Sequence, residues 1–325
     1  DYFFVRRSRS RRLWVRWLKF LIASRKYAQL ARAKTIFAED LWSLYIGKEI
    51  KRIHGGRLVY DSREIYSELL AGGRNVKQSL LALMEKRLLS ATDEIIVSGS
   101  LDAEFILENI SGSHPLSIVM NLPPYSEAIE SNILREKFSI PDDQKILLYQ
   151  GMIMPGRGIA RIIRALPLAE QYTMCILGHG PDEDIEKVRY IARQLGVDGR
   201  VRLCGEVSYD DLPVYTASAD IGLCFIEPIS FSYRLALPNK LFEYAMARVP
   251  VFASDLPAIK NIIDNFHIGV AASHEADTET IAKELQRMAR PDVYEKYRQA
   301  CNDAAPAFSY ESQEHVILSL GQDRV

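Results

Sequence analysis

The sequence has little of what marks several functional classes. Its four cysteines, Cys175, Cys204, Cys224 and Cys301, form no C-x-x-C pair, so neither a disulfide framework nor a zinc site is indicated. The first three stand in apolar runs, where a small buried hydrophobic residue is the ordinary interpretation. A reducing, cytoplasmic setting is therefore expected.

Long apolar runs, an excess of one charge and metal-ligand spacings are also missing. No uninterrupted apolar stretch approaches the ~20 residues that a membrane-spanning helix needs. Lysine and arginine (41) balance aspartate and glutamate (42), whereas a protein that coats nucleic acid usually has a large basic excess. The histidines show no metal spacing, and no D-x-D pair stands where it would suggest a required divalent ion. We expect a soluble or peripheral protein with no nucleic-acid partner, no metal ion and no cofactor.

What the sequence does contain is a regular alternation of strand and helix patterns after residue 141. With 325 residues, 48% of them hydrophobic, the chain is long enough for two domains. The alternation predicts a parallel sheet with helices on both faces, and ligands of such sheets bind beyond the carboxyl ends of the strands. The predicted strands are Lys145–Tyr149, Tyr172–Leu177, Val201–Leu203, Ile221–Phe225 and Val249–Ala253, and the predicted helices are Gly158–Leu166, Asp182–Leu195, Tyr209–Ala217 and Asn239–Ala247.

The first part of the chain shows the same alternation less completely. Its predicted strands are Thr35–Ala38, Leu58–Tyr60, Glu94–Val97 and Ser117–Val119, and its clearest helix is Gln78–Ser90. This is short for a doubly wound domain, so we expect the opening strands of the domain to be missing from this chain. The predicted organisation is an N-terminal domain over 1–123, a second domain over 124–300 and a closing C-terminal helix within 301–325 that packs back toward the first domain.

The most informative segment runs from 234 to 257, RLALPNKLFEYAMARVPVFASDLP. Pro238 and Asn239 open a helix whose first backbone N–H groups and positive dipole end can bind an anion, and Lys240 adds a full charge there. Glu243 lies one turn after Asn239, where its carboxylate can accept two sugar hydroxyls. The same two residues also fit a helix cap and a dipole-stabilising acid.

This segment resembles the nucleotide-sugar site of the retaining glycosyltransferases of family four (glycosyl transferases group 1), which have the GT-B fold of two facing Rossmann-like domains. Further resemblance follows in the expected order, over about residues 35 to 320. It lies in 58–64 (LVYDSRE), 85–98 (EKRLLSATDEIIVS), 148–158 (LYQGMIMPGRG), 176–181 (ILGHGP), 201–207 (VRLCGEV) and 217–222 (ASADIG).

The resemblance implies a phosphate-facing loop after the first strand of the second domain. Gly151, Gly156 and Gly158 permit close backbone approach there, and Arg157 stands where the family usually has a lysine on the diphosphate. A solvated loop charge is the alternative for Arg157. The family's second cation is replaced by Met152, for which Lys240 can compensate; the alternative for Lys240 is a solvent-facing side chain.

The resemblance also implies contacts to the sugar and the base. Family members carry two glutamates eight positions apart, of which Glu243 matches the one on the ribose, while Leu235 replaces the one on the donor sugar. Two loop residues, Ser232 and Tyr233, can still line the sugar pocket. Two others, Glu206 and Val207, are expected near the nucleobase. The catalytic residues implied are Arg157, Lys240 and Glu243, with donor contacts from the loops and from Pro238 and Asn239.

On the acceptor side, Arg63 and Glu64 follow a strand of the first domain and are expected to orient the acceptor or stabilise developing charge. A salt-bridged loop is the alternative there. The implied partners are a nucleoside diphosphate-sugar, which is a substrate, and a glycan or lipid-linked acceptor.

The chain begins with a basic segment interleaved with aromatic residues, Arg6 to Phe20. This composition suits an interfacial helix on anionic lipid, which would place the protein on the inner face of the membrane. An exposed helix whose aromatic side chains pack on their own domain explains the composition equally well.

Two other functions stay open beside a glycosyltransferase of glycan, polysaccharide or glycolipid synthesis. A sugar-nucleotide epimerase would share the architecture but need no acceptor. A non-catalytic nucleotide-binding relative is suggested by Met152, Leu235 and the short first domain.

Overall fold

The computed structural model describes residues 13–63, 65, 76–111 and 114–320; for residues 13–18, 76–78 and 110–111 it describes the backbone only. Glu64 and the arginines between Arg6 and Arg12, for which functions were predicted, lie outside these ranges. The chain divides into two compact units. Unit 1 contains the described residues up to Met120 together with those from His315, and unit 2 spans Asn121–Glu314.

Unit 1 is a four-stranded parallel sheet with strand order β1-β2-β3-β4. Its strands are β1 (Thr35–Ala38), β2 (Arg57–Ser62), β3 (Glu94–Val97) and β4 (Leu116–Ile118). Its helices are α1 (Leu13–Leu30), α2 (Leu41–His54), α3 (Val76–Leu89), α4 (Ser100–Ile106) with a π-helical turn at Leu107–Ser111, and α14 (Glu314–Leu320).

The packing of α2 on this sheet follows from its sequence. Asp40 and Ser43 form a capping box, in which each side chain accepts a hydrogen bond from the backbone N–H of the other, at 2.6 and 2.9 Å; such a cap fixes where a helix begins. Gly47 faces the sheet so closely that a Cβ there would lie 2.6 Å from Leu58. The helix therefore packs flat against β2, and leucines such as Leu41 and Leu44 fill the core between them.

Unit 2 is a six-stranded parallel sheet with strand order β10-β9-β8-β5-β6-β7. Its strands are β5 (Lys145–Gln150), β6 (Tyr172–Leu177), β7 (Val201–Gly205), β8 (Ile221–Cys224), β9 (Val251–Ser254) and β10 (Gly269–Ala272). Its helices are α5 (Ile133–Phe138), α6 (Ile159–Ala165), α7 (Asp182–Gln194), α8 (Leu212–Ala217), α9 (Phe231–Leu235), α10 (Asn239–Met246), α11 (Pro257–Phe266), α12 (Thr278–Met288) and α13 (Pro291–Ala304), with 3-10 turns at Leu166–Leu168, Asp198–Arg200 and Tyr310–Gln313. The order reverses between β5 and β8, which makes this pair the switch point at which α/β sheets bind ligands.

The predicted fold class, α/β with two parallel sheets, is confirmed, and every predicted strand is present. The strand expected at Val249–Ala253 begins at Val251 instead, because Pro250 has no N–H to donate to a neighbouring strand. The helix expected from Tyr209 begins at Leu212, since the Ser208 hydroxyl and Asp211 form a turn first, at 2.7 Å.

The C-terminal segment contains more than the single helix that was expected. A 3-10 turn precedes α14, and the boundary between the units falls at His315. Strand β10 and the two long helices after it, α12 and α13, were not predicted. Within the described part of the chain, no helix is both long and apolar enough to span a bilayer.

Candidate functional site

The carboxyl ends of β5 and β8 open into two loops that meet over the sheet of unit 2. The loop after β5, residues 151–158, leads into α6, and the loop after β8 leads through α9 to Pro238 and α10. The N–H of Glu227 donates to the carbonyl of Gly156 at 2.9 Å and joins the two loops. Both therefore contribute to one site at the switch point.

Glycine is required in the loop after β5 because other backbone lies against it. A Cβ on Gly158, which has φ +70°, would lie 2.1 Å from the carbonyl oxygen of Phe225. Gly151 and Gly156 also have positive φ values, and Gly151 donates its N–H to Leu177 at 2.9 Å. The three predicted glycines thus form one tight loop at the mouth of the sheet.

Arg157 lies between two of these glycines and is half-buried. Its guanidinium carbon stands 5.2 Å from the ring centroid of Tyr233, which is a cation–π distance. Its Nε is buried and has no hydrogen-bond partner among the described residues. A buried guanidinium N–H without an acceptor is costly, so an anion that accepts from this Nε would be favoured; the expected contact of Arg157 with a diphosphate stays a prediction.

Lys240 is buried, with 8% of its surface exposed. Its Nζ lies 3.9 Å from the ring centroid of Tyr149, and no described residue forms a hydrogen bond or ion pair with it. Burial, together with the positive charge of Arg157, lowers the pKa of Lys240 to about 8, against the opposing effects of Cys224 and Glu243. The structure therefore places two cations near each other. No described residue forms an ion pair with either of them, although the charge of Glu243 acts on Lys240.

The helix that carries Lys240 begins without a side-chain cap. Pro238 is the N-cap residue, and Asn239 is exposed and does not cap the first turn. The cap considered for Asn239 is thus absent, and the first turn of α10 keeps its backbone N–H groups free of side-chain acceptors. Glu243, one turn later, faces the sheet instead of stabilising the helix dipole from solvent.

Glu243 is held by the last residue of β5. The amide Nε2 of Gln150 donates to Glu243 Oε2 at 2.5 Å, and the hydroxyl of Thr216 donates to Gln150 Oε1 at 2.9 Å. The backbone N–H of Gln150 donates to the Tyr244 hydroxyl at 3.0 Å. Burial raises the pKa of Glu243, and the Gln150 hydrogen bond and the charge of Lys240 act in the opposite direction.

An apolar groove leads away from Glu243 along unit 2. It is lined by Pro123, Tyr209, Leu212, Thr216 and Met246, among others. Tyr209 is largely exposed, so its ring presents a face to any molecule in the groove. A flat, partly apolar group attached to a sugar whose hydroxyls reach Glu243 would fit this arrangement.

The remaining predicted donor residues lie around the same loops. Glu206 is exposed, and its carboxylate pairs with His179 Nδ1 at 2.6 Å, while Val207 is half-buried beside it. Ser232 lies in α9, whose N-cap is Ser230, and is half-buried. Their predicted contacts to a nucleotide sugar stay predictions.

Arg63 belongs to unit 1 and follows β2. It is exposed and forms ion pairs of 3.2 Å with both Asp61 and Glu39. Burial raises the pKa of Asp61, opposed by Arg63. The salt-bridged loop considered for this position is therefore present, and an acceptor-side function of Arg63 stays a prediction.

Gln150, Thr216 and Tyr149 were not predicted as site residues. One signal was available, because Gln150 is a polar residue at the carboxyl end of an otherwise apolar strand, immediately before the loop glycine. Thr216 has no such signal, since it lies within a short helix. In the described part of the chain, no three His, Cys, Asp or Glu side chains are grouped as metal ligands; independence of metal stays a prediction.

Comparison with known proteins gives the family. Residues 130–308, more than half of the chain, match the glycosyl transferases group 1 family. An uncharacterised glycosyltransferase of Methanocaldococcus jannaschii is 27% identical over 203 residues, which cover 58% of this chain and 49% of that protein. The chain spans about half the length of the curated relatives that it matches.

Two solved structures show the same fold. Sucrose-phosphate synthase from Thermosynechococcus elongatus has a TM-score of 0.79 at 18% identity, covering 95% of this chain and 78% of that one. HepE of Anabaena, solved in complex with UDP, has a TM-score of 0.74 at 13% identity, covering 95% and 83%. Both support the GT-B fold predicted from the sequence, with its two Rossmann-like domains.

Proposed function

The chain belongs to the glycosyl transferases group 1 family, and on that premise we propose that it moves a sugar from a nucleoside diphosphate-sugar to a hydroxyl acceptor. Unit 2 is the donor-binding part in this proposal. The reaction retains the anomeric configuration and belongs to glycan, polysaccharide or glycolipid synthesis, as the resemblance to family four implies.

The observation that supports the proposal most directly is a pair of cations with no ion-pair partner among the described residues. Arg157 has a buried Nε that no described residue accepts from, and the Lys240 ammonium is buried beside it, with the charge of Glu243 as the acidic influence on it. Two cations beside a single carboxylate are unfavourable unless a ligand supplies further negative charge. A diphosphate, with several charged oxygens, meets this requirement better than a single carboxylate.

The rest of the site suits the other parts of such a donor. The carboxylate of Glu243 can accept ribose hydroxyls, and the groove beside it can hold a base. Several structural neighbours were solved with UDP or a UDP-sugar, so UDP is the first nucleotide to test.

Catalysis would consist mainly of positioning and charge stabilisation. The bond between the anomeric carbon and the diphosphate oxygen breaks, a bond from that carbon to the acceptor oxygen forms, and the hydroxyl proton is released. Arg157 and Lys240 stabilise the charge that develops on the departing diphosphate. Arg63 and Glu64 are proposed to orient the acceptor, and no metal ion is required.

Thermal unfolding with UDP, GDP and ADP tests this proposal. A ligand at about 100 times its dissociation constant adds roughly 2.7 kcal/mol of stability. We expect one nucleotide to raise the melting temperature and the shift to shrink in Arg157→Ala and Glu243→Ala. Arg164→Ala is the matched control, because Arg164 is an exposed arginine of α6. The assignment would be contradicted if none of the nucleotides raised the melting temperature, or if the rise were equal in the wild type and all variants.

Turnover separates a transferase from the alternatives. Release of UDP from a UDP-sugar only when a glycan or glycolipid acceptor is added supports transfer. An altered sugar formed without acceptor would indicate an epimerase, and tight binding with no turnover would indicate a non-catalytic relative. The anomeric configuration of the product tests retention.

We also propose that the N-terminal segment places the protein on an anionic membrane surface, on its cytoplasmic side. In α1, Lys19, Arg25 and Lys26 are exposed beside Ile22 and Leu30, a combination that suits an interfacial helix. Sedimentation with vesicles containing phosphatidylglycerol, compared with phosphatidylcholine alone, tests this. Equal binding to both, or to neither, would favour packing of the aromatic residues on unit 1.

A further inference from the structure

The buried end of strand β5 connects two elements of the site. Gln150 donates two hydrogen bonds there: its backbone N–H donates to the Tyr244 hydroxyl, and its side-chain amide donates to Glu243. Both partners belong to α10. The same residue therefore fixes the position of the helix and, separately, the direction of the carboxylate.

The orientation of the Gln150 amide follows from Glu243. An ionised carboxylate only accepts hydrogen bonds, so Nε2 faces it, and in the reverse orientation two acceptor oxygens would meet. On the other side of the amide, the Thr216 hydroxyl lies 2.9 Å from Oε1 and 2.8 Å from the Leu212 carbonyl oxygen, and its one proton serves one of them at a time. Glu243 thus selects the amide orientation, and Thr216 is compatible with it.

This support is needed because Glu243 lies in a poorly solvated place. Burial raises the pKa of Glu243, and only Gln150 and Lys240 oppose that effect. Tyr244 is the other titratable group beside it, and burial raises the pKa of its hydroxyl, so it stays neutral. A protonated carboxyl would lose part of its capacity to accept hydroxyl donors.

We propose that Gln150 is a positioning residue for the sugar-hydroxyl end of the donor, because the hydrogen bond from its amide fixes the direction of the Glu243 carboxylate. This inference rests on the proposed function, since it assumes that Glu243 accepts ribose hydroxyls. It separates the site into two independently testable ends, the diphosphate end at Arg157 and Lys240 and the ribose end at Gln150 and Glu243.

Calorimetric titration of the full chain with UDP and with inorganic pyrophosphate tests the inference. In Gln150→Leu, which keeps the approximate side-chain size, we expect UDP to bind roughly tenfold more weakly, as for loss of one hydrogen bond to a charged group. Pyrophosphate has no ribose, so its affinity should change less than twofold. Arg157→Ala is the converse control and should weaken both ligands.

The pH dependence gives a readout that loss of packing alone would not change. Without the Gln150 donor, Glu243 takes up its proton more readily, so the decline of UDP affinity on acidification should begin at a higher pH than in the wild type. Thr216→Val, which keeps the shape but removes the hydroxyl, should show the same shift to a smaller extent.

The outcomes distinguish failure of the proposed function from failure of the positioning function of Gln150. If the wild type binds neither ligand, the proposed function fails and the inference with it. Two results with a wild type that binds UDP would contradict the positioning function of Gln150 but not the donor site. In the first, Gln150→Leu lowers the affinities for UDP and pyrophosphate equally. In the second, the variant loses UDP affinity on acidification at the same pH as the wild type.

Discussion

The buried ammonium of Lys240 predicts that nucleotide binding depends on pH in the alkaline range. Burial lowers the pKa of Lys240 from the 10.5 of an ordinary lysine to about 8. A bound diphosphate favours the charged form and raises this pKa again. Binding therefore takes up a proton wherever the free protein has lost it, and affinity falls as pH rises through 8.

The size of the effect follows from the fraction of charged lysine. With a pKa of about 8, about nine-tenths of the amine is charged at pH 7 and about one-tenth at pH 9. If only the charged form binds, UDP affinity drops roughly tenfold between those values. At pH 8 about half a proton is taken up per nucleotide.

Isothermal titration in two buffers of different ionisation enthalpy measures that proton uptake directly. Lys240→Met is the matched control, because it keeps a flexible side chain of similar length without the charge, and the ligand's own ionisations are the same for both proteins. We expect the variant to bind UDP more weakly at pH 7 and to lack the alkaline decline. A flat wild-type profile, or the same decline in both proteins, would refute the reasoning.

The same substitution has a predicted effect on the free protein. Because the unfolded chain holds the Lys240 proton up to about pH 10.5 and the folded chain only to about pH 8, this residue lowers stability below pH 8 and the loss diminishes as pH rises from 8 to 10.5. Lys240→Met should thus stabilise the ligand-free protein at pH 7 by roughly 1–3 kcal/mol in urea unfolding. Destabilisation by the variant would mean that the contact with Tyr149 and the charge of Glu243 outweigh the cost of burying the ammonium.

Three further predictions concern other parts of the structure. Tyr233→Leu removes the ring under the Arg157 guanidinium and should weaken UDP binding several-fold in titration calorimetry, in line with about 1 kcal/mol for such a contact; unchanged affinity would count against the contact. Gly158→Ala should lower the free energy of unfolding by roughly 2 kcal/mol or more, whereas Gly196→Ala, which has a similar positive φ but open space around it, should cost only about 1 kcal/mol; equal urea midpoints would contradict this. Arg63→Ala should leave the dissociation constant for UDP unchanged and reduce transfer to an acceptor; a loss of UDP binding would place Arg63 on the donor side.

The parts of the fold that the sequence predicted are those in which local composition is unambiguous. Strands β5 and β6 each contain a run of four apolar residues, ILLY and MCIL, and their bounds were predicted to within one residue. Strand β10 has the sequence GVAA, and three of its four residues give no β-branched signal. Gly269 is nevertheless required there, since a Cβ would lie 1.9 Å from the Val251 carbonyl oxygen. That close approach exists only in the folded sheet.

Candidate site residues could be predicted from the sequence where the residue type itself restricts the function. They could not be predicted where the function depends on whether the side chain is buried in the fold. The glycines of the loop at 151–158 and the charged Arg157 were identified from their positions. Lysines are seldom buried, so the sequence left Lys240 open between a phosphate ligand and a solvent-facing charge. Gln150 could not be assigned a function from the sequence either, because its partners Thr216 and Glu243 are 66 and 93 positions away in the chain.

The departure at Met152 and the burial of Lys240 concern the same loop. Met152 is exposed on the loop, where the family resemblance leads one to expect a cation, and the Lys240 ammonium reaches instead to within 4.0 Å of where a Cβ of Gly151 would stand. A loop arginine stays charged at every physiological pH, whereas a buried amine with a pKa of about 8 does not. With Met152 on the loop and Lys240 buried beside Gly151, the site has two positive charges at neutral pH, and one of them is titratable. The predicted alkaline loss of affinity depends on that titratable charge.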